Sequence, residues 1–366
     1  MSQSTLKQQE PERESIHKLA AEIEHDMLLR GLEPGDKYLT AADVGQMLSV
    51  SRITANRAMQ WLAQKDILVR ARSRGTFVGP KFNSPLQRTR PDIDSLHVLL
   101  PMDYSRSVMQ IDSFAAALSS SLPGANLHLH YLAEYDPLKT VRGVVEQIKN
   151  EDGINCMILI RSDERVQQYV SESGVPAVVF GSLYPGVQRL SSLDSDMGGA
   201  GKIATEHAME IGCQKFMVIF RHEWLWGDNL LLNNIMNTLG HAGRNIDDLI
   251  VRSLGPSQEI IEGECRRLLQ NIDSPTAMIC VGENFARIAH RVLQDMQPKH
   301  HVEIIVATRV QSGDTTTYTR VVANEDGAGQ VKLLCGLLES YIQNKETKEI
   351  TIPVSIKRVG EPDWSA

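Results

Sequence analysis

The stretch VSRITANRAMQWL, residues 50–62, places its polar and cationic side chains ahead of its apolar ones. The apolar members Ala55, Ala58, Met59 and Leu62 recur at helical spacing, which predicts a helix with one packed side. The polar side chains crowd into the first two turns, where they would face a polar, anionic partner. They are Ser51, Arg52, Thr54, Asn56 and Arg57.

These residue types suit contact with a nucleic acid. The free N–H groups of a helix N-terminus attract phosphate, and an arginine such as Arg52 can donate two hydrogen bonds to guanine. Thr54 and Asn56 are short polar groups that suit base edges or backbone oxygens. Arg57 lies more than a full turn beyond Arg52, so we expect it to contact a flanking phosphate.

A second cationic segment, RARSRGT at residues 70–76, could approach the same partner. Gly75 would permit a close approach and Thr76 would offer a hydroxyl, beside the arginines Arg70, Arg72 and Arg74. Residues 37–90 hold ten Lys or Arg and two Asp, whereas residues 91–366 hold 24 Lys or Arg and 35 Asp or Glu. One basic segment on a chain of net charge −7 indicates a polyanionic partner.

Three helices and a hairpin are expected to position these side chains. Residues 15–30 have the spacing of an amphipathic helix that ends at Gly31. Thr40 is a suitable N-cap for a second helix, AADVGQMLS, and Ser51 for the third. Thr40 is also a candidate contact to the nucleic acid. Two β-like runs, ILVRA and GTFVG, follow, so the order is that of a winged helix-turn-helix. Residues 80–95 contain three prolines without periodicity, which predicts a linker.

From residue 96 onwards, apolar strand-like runs alternate with helical segments. Continuous apolar strands joined by helices predict parallel sheets covered on both faces, and the length exceeds the needs of one sheet. We therefore expect two α/β lobes. The strand-like runs are LHVLLPM, LHLHYLAE, NCMILIR, PAVVFGS, KFMVIFR, LIVRSL, TAMICVG and VEIIVATR. The helical segments are 106–122, 137–150, 197–211, 227–242, 257–271 and 284–297.

Ligands of such folds bind in the crevice at the carboxyl ends of the strands. Aromatic faces with forked polar groups at those ends suit a polyol or a carboxylated small molecule. The segment RHEWLWGD, residues 221–228, is the densest group, and its alternative interpretation is a loop with both tryptophans packed into the domain. The candidate residues are Asp103, Tyr104, Arg106, Arg161, Tyr184, Arg221, Trp224, Trp226, Glu283 and Arg309.

The sequence gives little indication of catalysis, a cofactor or a metal. No P-loop, HExxH or GxSxG motif is present, and no GxGxxG follows the first strand of the α/β region. The pairs His128/His130 and His300/His301 lack metal-ligand spacing, so we expect structural or surface roles. The five cysteines form no CxxC pair, which predicts reduced, buried thiols. No membrane-spanning run or signal sequence is evident, so a cytoplasmic location is expected.

Residues 15–78 resemble the DNA-binding domain of GntR-family repressors in LEPGDKYLT, VSRITANRAMQWL and RGTFV. The resemblance implies a recognition helix in the major groove of DNA and a β-wing at the adjacent minor groove. Two departures bear on affinity. The family's Pro-Ser-Glu-Arg opening to the second helix becomes Thr40-Ala41-Ala42-Asp43, without its phosphate-contacting arginine. The second arginine of the recognition helix becomes Asn56, with Arg57 one place later.

Residues 96–360 resemble the effector domain of LacI/GalR repressors, most clearly over 175–219. The residues that carry the resemblance are Asp196, Ala200, Gly201, Ala204, Thr205, Glu206, His207 and Gly212. It implies a dimer with a small-molecule site between two lobes. Three positions that bind sugar in the family differ here. Glu283-Asn284 stands where the family has Asn-Asp, Arg309 stands where it has Asp, and the position of a family arginine falls near Leu231. The candidates for the effector are therefore an anionic molecule and a neutral sugar.

The sequence predicts an α/β protein with an N-terminal winged helix-turn-helix and a two-lobed, periplasmic-binding-protein-like domain. The expected boundaries are 1–79 for the DNA-binding domain, 80–95 for the linker, and 96–366 for effector binding and dimerisation. We expect a bacterial transcriptional regulator, a repressor, with operator DNA and a sugar or sugar-like acid as partners. A small-molecule sensor that does not bind DNA, or an enzyme on the α/β lobes, is the alternative.

Overall fold

The structure is a computed structural model that describes residues 9–71, 75–82, 91–101, 111–133, 136–246, 249–307 and 318–358. The chain divides into two compact units, one up to Pro91 and one from Asp92 onwards.

Three helices and a small antiparallel sheet form the first unit. The helix predicted over residues 15–30 begins earlier, at Gln9, and the two-residue strand β1 is too short for its sequence to predict it. The sheet has the strand order β1-β3-β2. The elements are α1 (Gln9–Leu29), β1 (Lys37–Tyr38), α2 (Ala41–Met47), α3 (Arg52–Gln64), β2 (Leu68–Ala71) and β3 (Gly75–Val78).

The core of the first unit fixes the orientation of α3. Its apolar side buries Ala55, Ala58, Met59 and Leu62 against α1, α2 and the hairpin. A Cβ on Gly45 of α2 would lie 3.0 Å from the carbonyl oxygen of Val50, in the turn that leads to α3. The two helices therefore cross closely, and the first turn of α3 is left on the surface.

The second unit contains two six-stranded sheets, each the centre of one α/β lobe. The first lobe has the order β14-β8-β7-β6-β4-β5, and all its pairings are parallel. The second has the order β10-β9-β11-β12-β13-β15, in which only β15 is antiparallel among the described strands. The strands are β4 (Ser95–Pro101), β5 (Asn126–Leu132), β6 (Asn155–Ile160), β7 (Ala177–Phe180), β8 (Ser191–Ser195), β9 (Lys215–Arg221), β10 (Leu249–Leu254), β11 (Thr276–Cys280), β12 (Val302–Ala307), β13 (Thr319–Ala323), β14 (Glu349–Ile352) and β15 (Val354–Lys357).

Helices cover both faces of the two sheets. All eight strand-like runs of the sequence form strands, and the predicted helical segments form helices, although 106–110 lies outside the described residues. Strands β8, β13, β14 and β15 and helices α6 and α11 were not predicted. The helices are α4 (Ile111–Ser121), α5 (Pro137–Asn150), α6 (Glu164–Ser173), α7 (Met197–Glu210), α8 (Trp226–His241), α9 (Gln258–Gln270), α10 (Glu283–Met296) and α11 (Gly327–Asn344).

The chain passes between the lobes three times: after β8, after β13 and after β14. The crossings lie side by side, because the Asp196 amide donates to the Ile352 carbonyl at 2.8 Å. The Asn324 amide donates to the Pro353 carbonyl, also at 2.8 Å. Three adjacent single-chain connections therefore join the two lobes.

All five cysteines are buried and reduced, as the sequence predicts. Among the helices within the described residues, none combines the length and the apolar character that a membrane span requires.

The pairing of α7 with α8 provides a test of packing in the second lobe. A Cβ on Gly201 would lie 2.3 Å from the Leu231 carbonyl oxygen of α8. We expect Gly201→Ala to push these helices apart and to lower the free energy of unfolding by about 1–3 kcal/mol. Urea unfolding of the full chain measures this change.

Gly143→Ala is the matched control, because a Cβ at this position in α5 would meet no atom within 4 Å. It should raise the free energy of unfolding by about 0.5–1 kcal/mol, since alanine favours a helix. Equal stability of Gly201→Ala and the wild-type protein would show that α7 and α8 are not closely packed.

Three histidines meet where β4 pairs with β5 in the first lobe. His97 is 0% exposed, and its Nδ1 lies 3.0 Å from Nε2 of His130. Its ring stacks on His128 at 4.8 Å, and its Nε2 lies 3.8 Å from a Glu151 carboxylate oxygen. Burial, reinforced by His130 and His128, lowers the pKa of His97 to about 4. His97 is therefore neutral in the folded protein at neutral pH.

This lowered pKa predicts acid sensitivity. In the unfolded chain His97 has the ordinary histidine pKa of about 6.5, so below that pH it binds a proton that the folded protein does not bind. The free energy of unfolding therefore decreases as the pH is lowered. Between about pH 7.5 and pH 5 we expect His97 to contribute a loss of about 2 kcal/mol. Urea unfolding at both pH values should show a smaller loss in His97→Gln. The exposed-histidine control His222→Gln should keep the wild-type loss, and an unchanged loss in His97→Gln would contradict the assignment.

Candidate functional site

The first turn of α3 is held by its N-cap. Ser51 adopts extended φ/ψ angles of −63° and 148°, and its Oγ accepts a hydrogen bond from the Thr54 amide at 3.1 Å. The two hydroxyl oxygens of Ser51 and Thr54 lie 2.9 Å apart. Both side chains thus shape the helix end.

Two side chains project from this turn. Arg52 is exposed, and among the described residues no carboxylate pairs with it. Ile53 is 71% exposed, the largest value for any large apolar side chain in the described chain. Sequence reasoning missed Ile53, although its place between Arg52 and Thr54 on the outward turn was a usable signal. Asn56 is half-buried and Arg57 is exposed one turn further along.

Thr40 caps α2 in a reciprocal arrangement with Asp43. The Asp43 amide donates to Thr40 Oγ1 at 3.3 Å, while the Thr40 amide and hydroxyl donate to the Asp43 carboxylate at 3.0 and 2.7 Å. The hydroxyl hydrogen bond, followed by the amide one, lowers the pKa of Asp43 below its ordinary value. A carboxylate therefore occupies the helix end where the resemblance to GntR proteins would place a phosphate-binding arginine.

The hairpin gives a mixed outcome for the predicted wing. Arg72 and Arg74 lie outside the described residues. Gly75 has a φ of +113°, which favours glycine, and Arg70 is exposed on β2. The prediction that Thr76 offers its hydroxyl to the partner is wrong. Thr76 is only 5% exposed, because β3 is the central strand of the sheet.

The segments that follow β6, β7, β9 and β11 lie at the carboxyl ends of the two sheets, where the sequence predicts the crevice. Asp103, Tyr104, Arg106 and Arg309 lie outside the described residues. Arg161 directly follows β6 in the left-handed region, with a φ of 48°.

Aromatic side chains from both lobes meet in the crevice. Tyr184 of the first lobe has its ring 6.2 Å from that of Trp226, and its hydroxyl donates to the Trp224 carbonyl at 3.5 Å. Burial, with a smaller contribution from nearby carboxylates, raises the pKa of Tyr184 to about 12, so it keeps its proton. Trp224 itself packs on Phe220 at 4.5 Å and donates to Ser253 Oγ at 3.1 Å. The packed-loop interpretation thus describes Trp224, whereas Trp226 faces the opposite lobe.

Arg221 is held by an acidic partner that the sequence did not indicate. Two Arg221 guanidinium hydrogen bonds reach the Asp228 carboxylate at 2.6 and 2.9 Å, and the Leu225 amide donates to the same group at 2.8 Å. Asp228 is 0% exposed. The positive charge of Arg221 is therefore balanced inside the protein.

Glu283, at the start of α10, is balanced in the same way. The Arg320 guanidinium donates to its carboxylate at 2.9 Å, and the Tyr318 hydroxyl donates to it as well. Sequence reasoning missed both partners, since they belong to or adjoin strand β13, which was not predicted. In the first lobe the Ser182 hydroxyl donates to Asp194. Ser182 also lies at the lobe contact, because a Cβ on Gly227 would approach its Oγ to 2.8 Å.

The described residues form no group of His, Cys, Asp and Glu suited to hold a metal ion. The crevice thus combines aromatic surface with paired charges. This combination can bind a polar small molecule through stacking and hydrogen bonds.

Comparison with known proteins identifies the first unit. Residues 16–78 match the family of bacterial regulatory proteins described as the gntR family. No curated protein sequence matches the chain.

Solved structures of similar fold cover the second unit. A LacI family transcriptional regulator from Enterococcus faecium with bound ribose is 14% identical, with a TM-score of 0.58 over 74% of this chain and 100% of that one. CcpA of Lactococcus lactis is 17% identical, with a TM-score of 0.60 over 74% of this chain and 100% of its own. The transcriptional regulator CelR in complex with cellobiose is 14% identical, with a TM-score of 0.59 and coverage of 88% and 100%.

At these identities the likeness to solved structures establishes the fold of the second unit. Together with the family match, it agrees with the architecture that the sequence predicts. The chain is a DNA-binding transcriptional regulator in which a GntR-type winged helix-turn-helix domain is joined to an α/β domain with the fold of LacI-family regulators.

Proposed function

We propose that the protein represses transcription as a homodimer that binds an operator, and that a neutral polyhydroxyl effector in the crevice controls this binding. The observation that carries the proposal is the exposed first turn of α3, where Arg52 has no carboxylate partner among the described residues. A surface arginine in the first turn of a helix suits a phosphate or the O6 and N7 atoms of guanine.

The proposed DNA contacts follow from exposure. Arg52 and Asn56 contact base edges, Arg57 and Arg70 contact phosphates, and Ile53 packs on a thymine methyl group. Arg72, Arg74 and Gly75 approach the minor groove as the wing. Thr40 and Ser51 position the two helices through their caps.

The effector follows from the charge balance of the crevice. Asp228 compensates Arg221 and Arg320 compensates Glu283, so neither charge requires an ionic ligand. Trp226 and Tyr184 offer apolar ring faces, which suit the C–H face of a sugar, while their neighbours supply hydrogen bonds. The ribose and the cellobiose bound in two solved structures of similar fold support a neutral sugar over a sugar acid.

A homodimer provides two DNA-binding domains for a two-fold symmetric operator. We propose residues 1–79 as the DNA-binding domain, 80–95 as the linker and 96–366 as the effector and dimerisation domain. Structures of a dimeric Lac repressor share the fold at 15% identity. Effector binding closes the lobes, with the three chain crossings as the hinge, and thereby changes the spacing of the two DNA-binding domains.

Arg52→Ala tests the DNA-binding surface. Loss of a forked contact to a base should cost about 1–3 kcal/mol in affinity for a specific duplex. A gel-shift titration with a duplex enriched from a random library measures this loss. The control Arg165→Ala removes an exposed arginine of α6 and should leave the midpoint unchanged.

The same titration at several salt concentrations tests whether phosphate contacts lead the binding. Each neutralised phosphate should add close to one unit to the slope of log affinity against log salt. A flat slope, or equal midpoints for Arg52→Ala and the wild-type protein, would refute the assignment.

Thermal shift with neutral sugars, sugar acids and nucleosides tests the effector class. We expect a neutral sugar to raise the Tm of the full chain, because a ligand that binds the folded state stabilises it. Trp226→Ala should abolish the shift, whereas Trp226→Phe keeps a ring face and should retain part of it.

Stabilisation by sugar acids alone would contradict the charge balance described for Arg221 and Glu283. Chromatography of each stabilising compound after incubation completes the test. Conversion to a product would identify an enzyme and overturn the proposal of a regulatory effector.

A further inference from the structure

The first lobe carries a second concavity that shares no charged residue with the crevice. It has a volume of about 770 Å³ and lies between the segment before β8 and the end of α11. Its apolar lining includes Leu190 and Tyr341. We call it the basic groove, because its charged members are Arg189, Lys345, Lys348 and one acid, Glu349.

The cations of the basic groove outnumber the acids beside them, which are Glu346 and Glu349. Lys348 lies 3.7 Å from a Glu346 carboxylate oxygen, but both side chains are more than half exposed, so solvent screens this pair. Lys345 rests over the Tyr341 ring at 5.0 Å, a contact that leaves its positive charge in place. The excess of positive charge at a concave surface attracts a small anion.

Two of these cations stand on strained backbone. Arg189 has a φ of 61° and Lys345 a φ of 58°, in the left-handed region. Such positions cost about 1 kcal/mol or more for residues other than glycine. The left-handed C-cap of α6 is Gly174, whereas the corresponding position of α11 is Lys345. Two long cations thus occupy backbone positions that favour glycine, one in each of the two segments that line the groove.

Hydrogen bonds hold both walls in place. The Ser171 hydroxyl donates to the Gln188 carbonyl, next to Arg189. The Lys348 amide donates to Ser191 Oγ at 3.1 Å, and the Ser192 amide donates to the Lys348 carbonyl at 3.0 Å. A pre-formed site loses little entropy when a ligand binds.

We propose that the basic groove binds a small molecule with two or more negative charges, a phosphate ester or a polycarboxylate. Its volume is that of a metabolite site. Arg189 supplies a forked donor set for one anionic group, and Lys345 and Lys348 act as point charges for another. The charge balance of the crevice and the positive charge of the groove assign the two concavities different ligands.

Isothermal titration calorimetry of the full chain at low salt tests this proposal, with pyrophosphate, citrate and inorganic phosphate as probes. We expect saturable binding of pyrophosphate or citrate at one site per chain. The double variant Arg189→Asn, Lys345→Asn should weaken it by about tenfold or more, as loss of two charged donors implies. Asparagine tolerates the left-handed region, so this variant keeps the local backbone.

One control shows whether the measured binding occurs in the basic groove. Lys139→Asn replaces an exposed lysine of the same lobe outside the groove, and it should bind the probe as the wild-type protein does. Circular dichroism shows whether the double variant is folded, and Lys348→Gln replaces it if it is not. Absence of saturable binding to all three probes, or equal affinity in the folded groove variants, would overturn the proposal. So would a groove variant that loses affinity for duplex DNA while the small anions fail to bind.

Discussion

Burial of one side of α3 is the constraint on which the DNA-binding unit depends. Ala55, Ala58, Met59 and Leu62 are withdrawn from water, and burial of apolar surface is the main favourable term in folding. Because these residues lie on one side of the helix, the same packing leaves the first turn, with Arg52, at the surface. The Ser51 cap completes that turn with its own side chain. The core of this unit and its recognition surface are therefore two consequences of one helix.

Charge is arranged differently in the α/β domain. Within the described crevice, Asp228 pairs with Arg221 and Arg320 pairs with Glu283. Truncating one partner of such a pair would strand the other charge in a poorly hydrated site. Three adjacent crossings join the lobes, while each sheet keeps its own core. The basic groove lies apart from the crevice, and its cations are compensated only by exposed acids, Glu346 and Glu349.

The sequence predicted what depends on local pattern and missed what depends on distant pairing. Apolar runs such as NCMILIR and KFMVIFR were sufficient to place β6 and β9, and Thr40 and Ser51 were sufficient to place two helix starts. Strand β8, SSLDS, is too polar to stand out, and the return of α11 and β14 to the first lobe follows from long-range contacts. The Arg221–Asp228 pair was also hidden, because nothing in RHEWLWGD shows that the aspartate turns back towards the strand. Likewise, the burial of Thr76 follows from β1, a strand of two residues.

The central claim is that the first turn of α3 enters duplex DNA and that the α/β domain controls this binding. Selection from a random duplex library by the purified full chain, with and without a panel of neutral sugars, tests it most directly. The account predicts enrichment of a duplex with two half-sites related by two-fold symmetry, and an amount of bound duplex that changes when one of the sugars is present. Failure to enrich any duplex under either condition would contradict it.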